Sequence, residues 1–153
     1  MAIYTTIEVL ASAISRLPVP TNVTDNVKLG FVCVQNAGRS QMSAAFARRE
    51  RDRRGLENVE ILTGGAGPAE EVHPEVVEAM AELDVDISDR EPQAVSTDEL
   101  NDCDVVATMG CSTLELDADV DVRDWALEDP HGKDIETVRE IREEIEGRVA
   151  ELF

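Results

Sequence analysis

Cys33, Arg39 and Ser40 are the residues whose types and spacing most directly suggest chemistry. They bracket the segment Cys33-Val34-Gln35-Asn36-Ala37-Gly38-Arg39-Ser40. Five residues separate Cys33 from Arg39, enough for a loop that curls round a tetrahedral oxyanion. A free thiol has a pKa of about 8.5, and a helix N-terminus with a nearby guanidinium lowers such a value by several units. Converging loop N–H groups make an anion nest, and a following helix adds its positive end. The planar fork of Arg39 suits two oxygens at once, which Lys cannot match. Ser40 can donate a hydrogen bond to the Cys33 thiolate. Asn36 and Gly38 suit left-handed backbone angles. Val34, Gln35, Asn36, Ala37, Gly38, Arg39 and Ser40 are therefore the candidate oxyanion-binding residues, and Cys33 the candidate nucleophile.

The flanking elements must place this loop. Leu29 to Val34 is an apolar run that reads as a strand buried on both faces. Ser-Gln-Met-Ser-Ala-Ala-Phe-Ala after Arg39 reads as a helix with Met42, Ala45 and Phe46 on one face. The helix closes with five Arg between Arg48 and Arg54, cations that complement its C-terminal dipole, and with Gly55 as its cap. Val59 to Thr63 is a second strand, followed by a Gly64–Pro68 turn. Pro74 opens a helix with Val76, Val77, Met80 and Leu83 as its stripe. His73 is expected as a cap or surface residue. Ser96 and Glu99 form a capping box on a short helix through Leu100. Val105 to Met109 is a third buried strand, and a fourth is expected from Val122 to Ala126. Ile135, Val138, Ile141, Ile145, Val149 and Leu152 mark the last helix. Alternating strands and helices give an α/β, three-layer domain on a four-stranded parallel sheet with right-handed crossovers.

In such a sheet, ligands sit beyond the C-terminal strand ends, so Cys33 and Cys111 should point toward one crevice. Cys103 precedes its strand and belongs at the opposite end, as a small buried hydrophobe. Residues 1–26 read as an amphipathic helix (Ile3, Ile7, Leu10, Ile14, Leu17) and a linker, ahead of a domain over 27–153.

The chain of 153 residues carries 33 acidic and 14 basic residues, a net charge of −19. Only Lys28 and Lys133 are lysines. This composition resembles that of proteins from salt-in halophiles, in which molar salt screens the self-repulsion, and that reading is preferred to an ordinary acidic protein. It argues against nucleic acid as a partner. Three cysteines with no zinc spacing fit a reducing cytosol, and no metal is expected. Neither a signal peptide nor a membrane span is read, so the expected location is cytoplasmic. Asp117, Asp119 and Asp121 alternate, but Val122 stands where a calcium loop needs Gly, and they read as a solvated acidic loop.

The Cys33–Ser40 loop, between its strand and helix, resembles the active-site loop of the low-molecular-weight protein tyrosine phosphatase superfamily. Its ending Arg39-Ser40-Gln41-Met42 is closer to the arsenate reductase branch. Asp129-Pro130 resembles the superfamily's general-acid loop. As a phosphatase, the chain would form a phosphocysteine at Cys33, with Asp129 protonating the leaving oxygen. His131 and Gly132 stand where phosphotyrosine-specific members carry aromatic residues. Met109-Gly110-Cys111 resembles the position of the second thiol in arsenate reductases, especially the actinobacterial type. The resemblance then implies that Cys33 attacks arsenate, Cys111 attacks Cys33 and arsenite leaves. Residues 112–119 lack the further Cys of three-thiol relays. The implied reductant is external: a thioredoxin- or glutaredoxin-like protein, or a small thiol, with no bound cofactor. Arsenate reduction is the first reading and phosphatase action the second. A non-catalytic oxyanion sensor is the third, disfavoured because nucleophile, Arg and Asp are all present.

Overall fold

The structure is a computed structural model that describes residues 26–110, 116–117 and 119–153. The expected N-terminal helix and Cys111 lie outside the described residues. The elements are β1 (Val27–Cys33), α1 (Arg39–Arg53), β2 (Val59–Gly65), α2 (Pro74–Ala81), α3 (Thr97–Asn101), β3 (Val105–Met109), β4 (Asp121–Asp124) and α4 (Ile135–Leu152).

The four strands form one parallel sheet in the order β2-β1-β3-β4. Successive side chains on a strand face opposite ways, and β1 divides accordingly. Val27, Leu29, Phe31 and Cys33 join a large apolar cluster with Met42 and Phe46 of α1, Met80 of α2 and Ile145 of α4. Val32 joins a smaller cluster on the other face, with Leu100 of α3, Cys103 and Val106. The three layers are thus unequal in thickness. Gly30 faces the smaller cluster, where an added Cβ would lie 3.2 Å from Cys103 Sγ.

Three boundaries differ from the sequence reading. β1 ends at Cys33, because its neighbours both stop pairing there, at Gly65 and Met109; Val34 leaves the sheet and is exposed. β2 continues through Gly64 and Gly65, which the sequence assigns to a turn. A Cβ at Gly64 would sit 2.5 Å from Val95, and one at Gly65 would sit 2.4 Å from the Val34 carbonyl. Gly64 thus makes room for the Val95 side chain, and Gly65 for the loop backbone that leaves β1. β4 is an edge strand that stops at Asp124, yet the Trp125 N–H still donates to the Thr108 carbonyl at 2.8 Å, and Trp125 packs against Phe31.

The caps expected at Ser96 and Gly55 form, and Asp134 adds one that the sequence reading does not name. Ser96 and Glu99 make both bonds of the capping box. Asp134 caps α4 by accepting from the Thr137 N–H at 3.0 Å. Gly55 takes φ +64° just past α1. The arginines ending α1 are largely paired: Arg49 with Glu146 of α4, and Arg53 and Arg54 with Glu50.

Candidate active site

β1 delivers Cys33 to the C-terminal edge of the sheet, and α1 begins six residues later. Between them, the loop is strapped from one side. The N–H groups of Gly67, Ala69 and His73 donate to the carbonyls of Val34, Gln35 and Ala37, each at 2.9 Å. In a trans peptide the carbonyl and the following N–H point opposite ways, and no cis peptide occurs among the described residues. The N–H groups of Gln35, Asn36 and Gly38 therefore face away from the strap. That of Asn36 points to Cys33 Sγ at 3.2 Å. Among the described residues, no hydrogen bond occupies the N–H groups of Gln35, Ala37, Gly38 or Arg39.

The loop is held by Asn36, a fully buried residue with φ +52°. Its Nδ2 donates to Ser40 Oγ at 2.8 Å and to Thr63 Oγ1 at 2.9 Å. Its Oδ1 accepts from Gln41 Nε2 and from the Gln93 N–H, both at 3.0 Å. Thr63 Oγ1 in turn donates to the Phe31 carbonyl at 2.9 Å. One side chain thus ties β1, β2, α1 and the Gln93 segment together, and satisfied buried networks of this kind specify a single conformation. Ser40 Oγ lies 2.9 Å from Cys33 Sγ. Only 2 % of Cys33 is exposed, but its surroundings are polar on the loop side.

Arg39 reaches across to the segment after β4. Its Nη1 donates to the Leu127 carbonyl at 3.0 Å, and its Nη2 lies 4.0 Å from Asp129 Oδ2. Gly110, at φ +75°, allows this: a Cβ there would stand 2.6 Å from Arg39 Nη1. Asp129 is more than half exposed, and its Oδ1 accepts from the His131 N–H at 3.0 Å. Pro130 closes over Gly38, where a Cβ would come within 2.9 Å of its ring. The resulting cavity has a volume of about 280 Å³ and is lined by Cys33, Val34, Gln35, Gly38, Arg39, His73, Gly110 and Asp129.

The structure thus gathers Cys33, Arg39 and Asp129, from β1, α1 and the β4–α4 connection, round one cavity, with Ser40 buried behind Cys33. Asn36 and Ala37 lie buried behind it rather than on its wall. His73 corrects the sequence reading. It does stand at the N-cap of α2, but it is buried, makes no capping bond with its side chain and lines the cavity. Its Nε2 is 3.0 Å from Gln35 Oε1, and its Nδ1 is 3.2 Å from His131 Nδ1. Burial, then the neighbouring His131, pushes the His73 pKa below the ordinary histidine value. Thr63, Gln93 and Gly110 are further site-building residues absent from the sequence reading. Gly110 had a detectable signal, a glycine directly after a buried strand. Thr63 and Gln93 had none, since only the pairing of β2 with β1 and the bond of Gln93 to the end of β2 bring them to Asn36.

The chain belongs to the low molecular weight phosphotyrosine protein phosphatase family, whose pattern matches residues 28–153. Within that class, the chain is 70% identical over 128 residues to a Halobacterium salinarum protein described as "Putative arsenate reductase", covering 82% of this chain and 90% of that one. Its fold is similar to the Corynebacterium glutamicum thioredoxin-dependent arsenate reductase, at 34% identity and a TM-score of 0.69, over 97% of this chain and 69% of that one. A low molecular weight protein tyrosine phosphatase from T. tengcongensis shares the fold at 23% identity and a TM-score of 0.73, over 83% and 97% of the two chains. The halophilic source of the first relative agrees with the acidic, lysine-poor composition.

Proposed function

We propose that the protein is a thiol-dependent arsenate reductase, with residues 27–153 as its catalytic unit. The observation that carries this reading is a cavity that sets Cys33 and Arg39 beside unoccupied loop amides, in a chain 70% identical to a relative described as an arsenate reductase. Arsenate sits on the amides of Gln35, Gly38 and Arg39 with the guanidinium of Arg39 on its oxygens, donors fixed before the anion arrives. The Cys33 thiolate attacks arsenic, a sulfur–arsenic bond forms, and one arsenate oxygen leaves as water after protonation. Cys111 then attacks Cys33 Sγ. A disulfide forms, the sulfur–arsenic bond breaks, its electron pair stays on arsenic, and arsenite departs. An external dithiol restores the two cysteines by exchange. A thioredoxin-like protein is the favoured donor, as the name of the Corynebacterium relative states for that enzyme.

The experiment is arsenite release from the reduced chain supplied with arsenate and a thioredoxin system. Release should vanish in Cys33→Ser and in Cys111→Ser, and a single arsenate turnover should leave a Cys33–Cys111 disulfide on mass spectrometry. Steady release by Cys111→Ser would exclude Cys111 as the resolving thiol.

Phosphatase action is a second reading, supported by the place of Asp129 at the cavity rim, 4.0 Å from Arg39 and open to solvent. There it would protonate a leaving alkoxide. Among the described residues, no aromatic side chain lines the cavity apart from the imidazole of His73, so these walls offer an aryl ester little to stack on. Aryl phosphate turnover that survives Cys111→Ser but fails in Asp129→Ala would favour this second chemistry.

A further inference from the structure

Beside the oxyanion cavity lies a second group of ligating side chains that the reactions above do not use. His73 and Glu75 stand at the start of α2, and His131 follows the Asp129-Pro130 turn. One ligand atom from each of the three lies within 4.8 Å of the other two. The two imidazoles face each other through like atoms, Nδ1 to Nδ1, at 3.2 Å. Glu75 Oε1 is 4.0 Å from His131 Nδ1. Two nitrogens on one tetrahedral zinc ion, each bound at about 2.0–2.1 Å, are about 3.3–3.4 Å apart. The histidine pair is already close to that spacing, and the carboxylate, within 4.8 Å of both nitrogens, has to close by up to about 1.5 Å.

The surroundings prepare these atoms for a cation. Gln35 Oε1 can only accept, so the proton on the His73 ring that faces it sits on Nε2. The neutral ring then offers its Nδ1 lone pair. A carbonyl holding the far N–H of an imidazole is the usual support of a metal-bound histidine. Glu75 is anchored from the His131 side, because the Gly132 N–H donates to its Oε1 at 3.1 Å. Its negative charge also offsets the positive end of α2, which alone would repel a cation.

We propose that His73 Nδ1, His131 Nδ1 and Glu75 form a binding site for one divalent first-row transition ion, zinc by preference, at the mouth of the oxyanion cavity. Two imidazoles and one carboxylate favour such an ion over magnesium or calcium, which take oxygen ligands. The bound ion ties the start of α2 to the turn that carries Asp129. No electron or group transfer is involved: the ion displaces the proton shared between the two imidazoles.

The test is a titration of the reduced full chain with Zn²⁺ against a chromophoric chelator, in molar KCl to suppress loose binding to the acidic surface. One ion per chain should bind, with affinity falling at least tenfold in His131→Ala and in Glu75→Gln, equivalent to about 1.4 kcal/mol or more for each ligand lost. Co²⁺ in place of zinc should give ligand-field bands with no thiolate-to-cobalt charge transfer. Unchanged affinity in His131→Ala, or a thiolate band with Co²⁺, would assign the ion to the cysteines or the acidic surface and overturn the proposal. So would failure of the natively folded wild-type chain, checked by circular dichroism, to hold zinc against a weak chelator.

Discussion

Cys33 and Cys103 are both buried, at 2 % and 4 % exposure, at opposite ends of the same sheet. Cys33 lies at the C-terminal end of β1, where an amide and a hydroxyl meet its sulfur. Cys103 precedes β3, packed between Gly30, Leu100 and Val106. Among the described residues its thiol makes one hydrogen bond, which it donates to the Glu99 carbonyl at 3.7 Å. Burial pushes the Cys103 thiol up to about 11, against the opposing charge of Lys28. Depth is therefore not what separates the proposed nucleophile from Cys103. The difference is whether the neighbouring backbone presents N–H groups or carbonyls. In a parallel sheet that depends on which end of the strands the residue occupies.

The largest way to test this contrast is to remove each sulfur in turn. Cys33→Ser should lower arsenate turnover by about a thousandfold or more, the scale of losing a nucleophile. Cys103→Ser should leave steady-state turnover within about twofold of wild type. A comparable loss from both would erase the distinction.

Next comes the support that only Cys33 has. Asn36→Ala removes four buried hydrogen bonds and leaves alanine at φ +52°. About 3 kcal/mol of stability should go, read as a lower urea midpoint at unchanged slope. Oxyanion affinity should fall further than that of a control destabilised to the same extent within the β3–α3 cluster. Equal falls would mean that Asn36 supports the fold but not the loop.

Arg39→Lys keeps the charge and loses the fork. Binding of inorganic phosphate, an unreactive stand-in for arsenate, should weaken by about 1.5 kcal/mol or more, measured by calorimetry. Gly110→Ala should act in the same direction without touching the anion, because its methyl would push Arg39 aside. Phosphate affinity unchanged in both would remove Arg39 from the site.

The smallest effect concerns pH. The Cys103 thiol is held above its ordinary value in the folded chain, so the unfolded chain releases that proton first. The stability linked to it is complete below about pH 9 and is lost as pH rises towards 11. Cys103→Ser should flatten this alkaline limb by up to about 2 kcal/mol. An unchanged limb would mean that the thiol is not shielded as its packing indicates.

The arrangement of the fold was legible because its signals are local. The runs Val105–Met109 and Ile135–Leu152, the capping box at Ser96 and Pro74 at a helix start depend on neighbours in sequence, and each stands where the sequence put it. Strand ends were less legible. Val34 and Gly65 look alike in kind to residues beside them, and partner strands decide where pairing stops.

At the site, the sequence by itself determined the loop proposed to hold the oxyanion. A cysteine, an arginine and a serine at fixed spacing between a strand and a helix need no distant contact to define an oxyanion loop. Tertiary structure alone decided what surrounds it. His73 reads as an ordinary residue before a proline, and becomes a cavity wall only because the strap from Gly67 to His73 binds the loop carbonyls. Thr63, Gln93 and His131 arrive from separate segments, and their pairing with Asn36 and His73 spans 27 to 58 residues. Local spacing fixes which groups can meet an anion. Only the packing of strands and connections fixes which groups hold those in place.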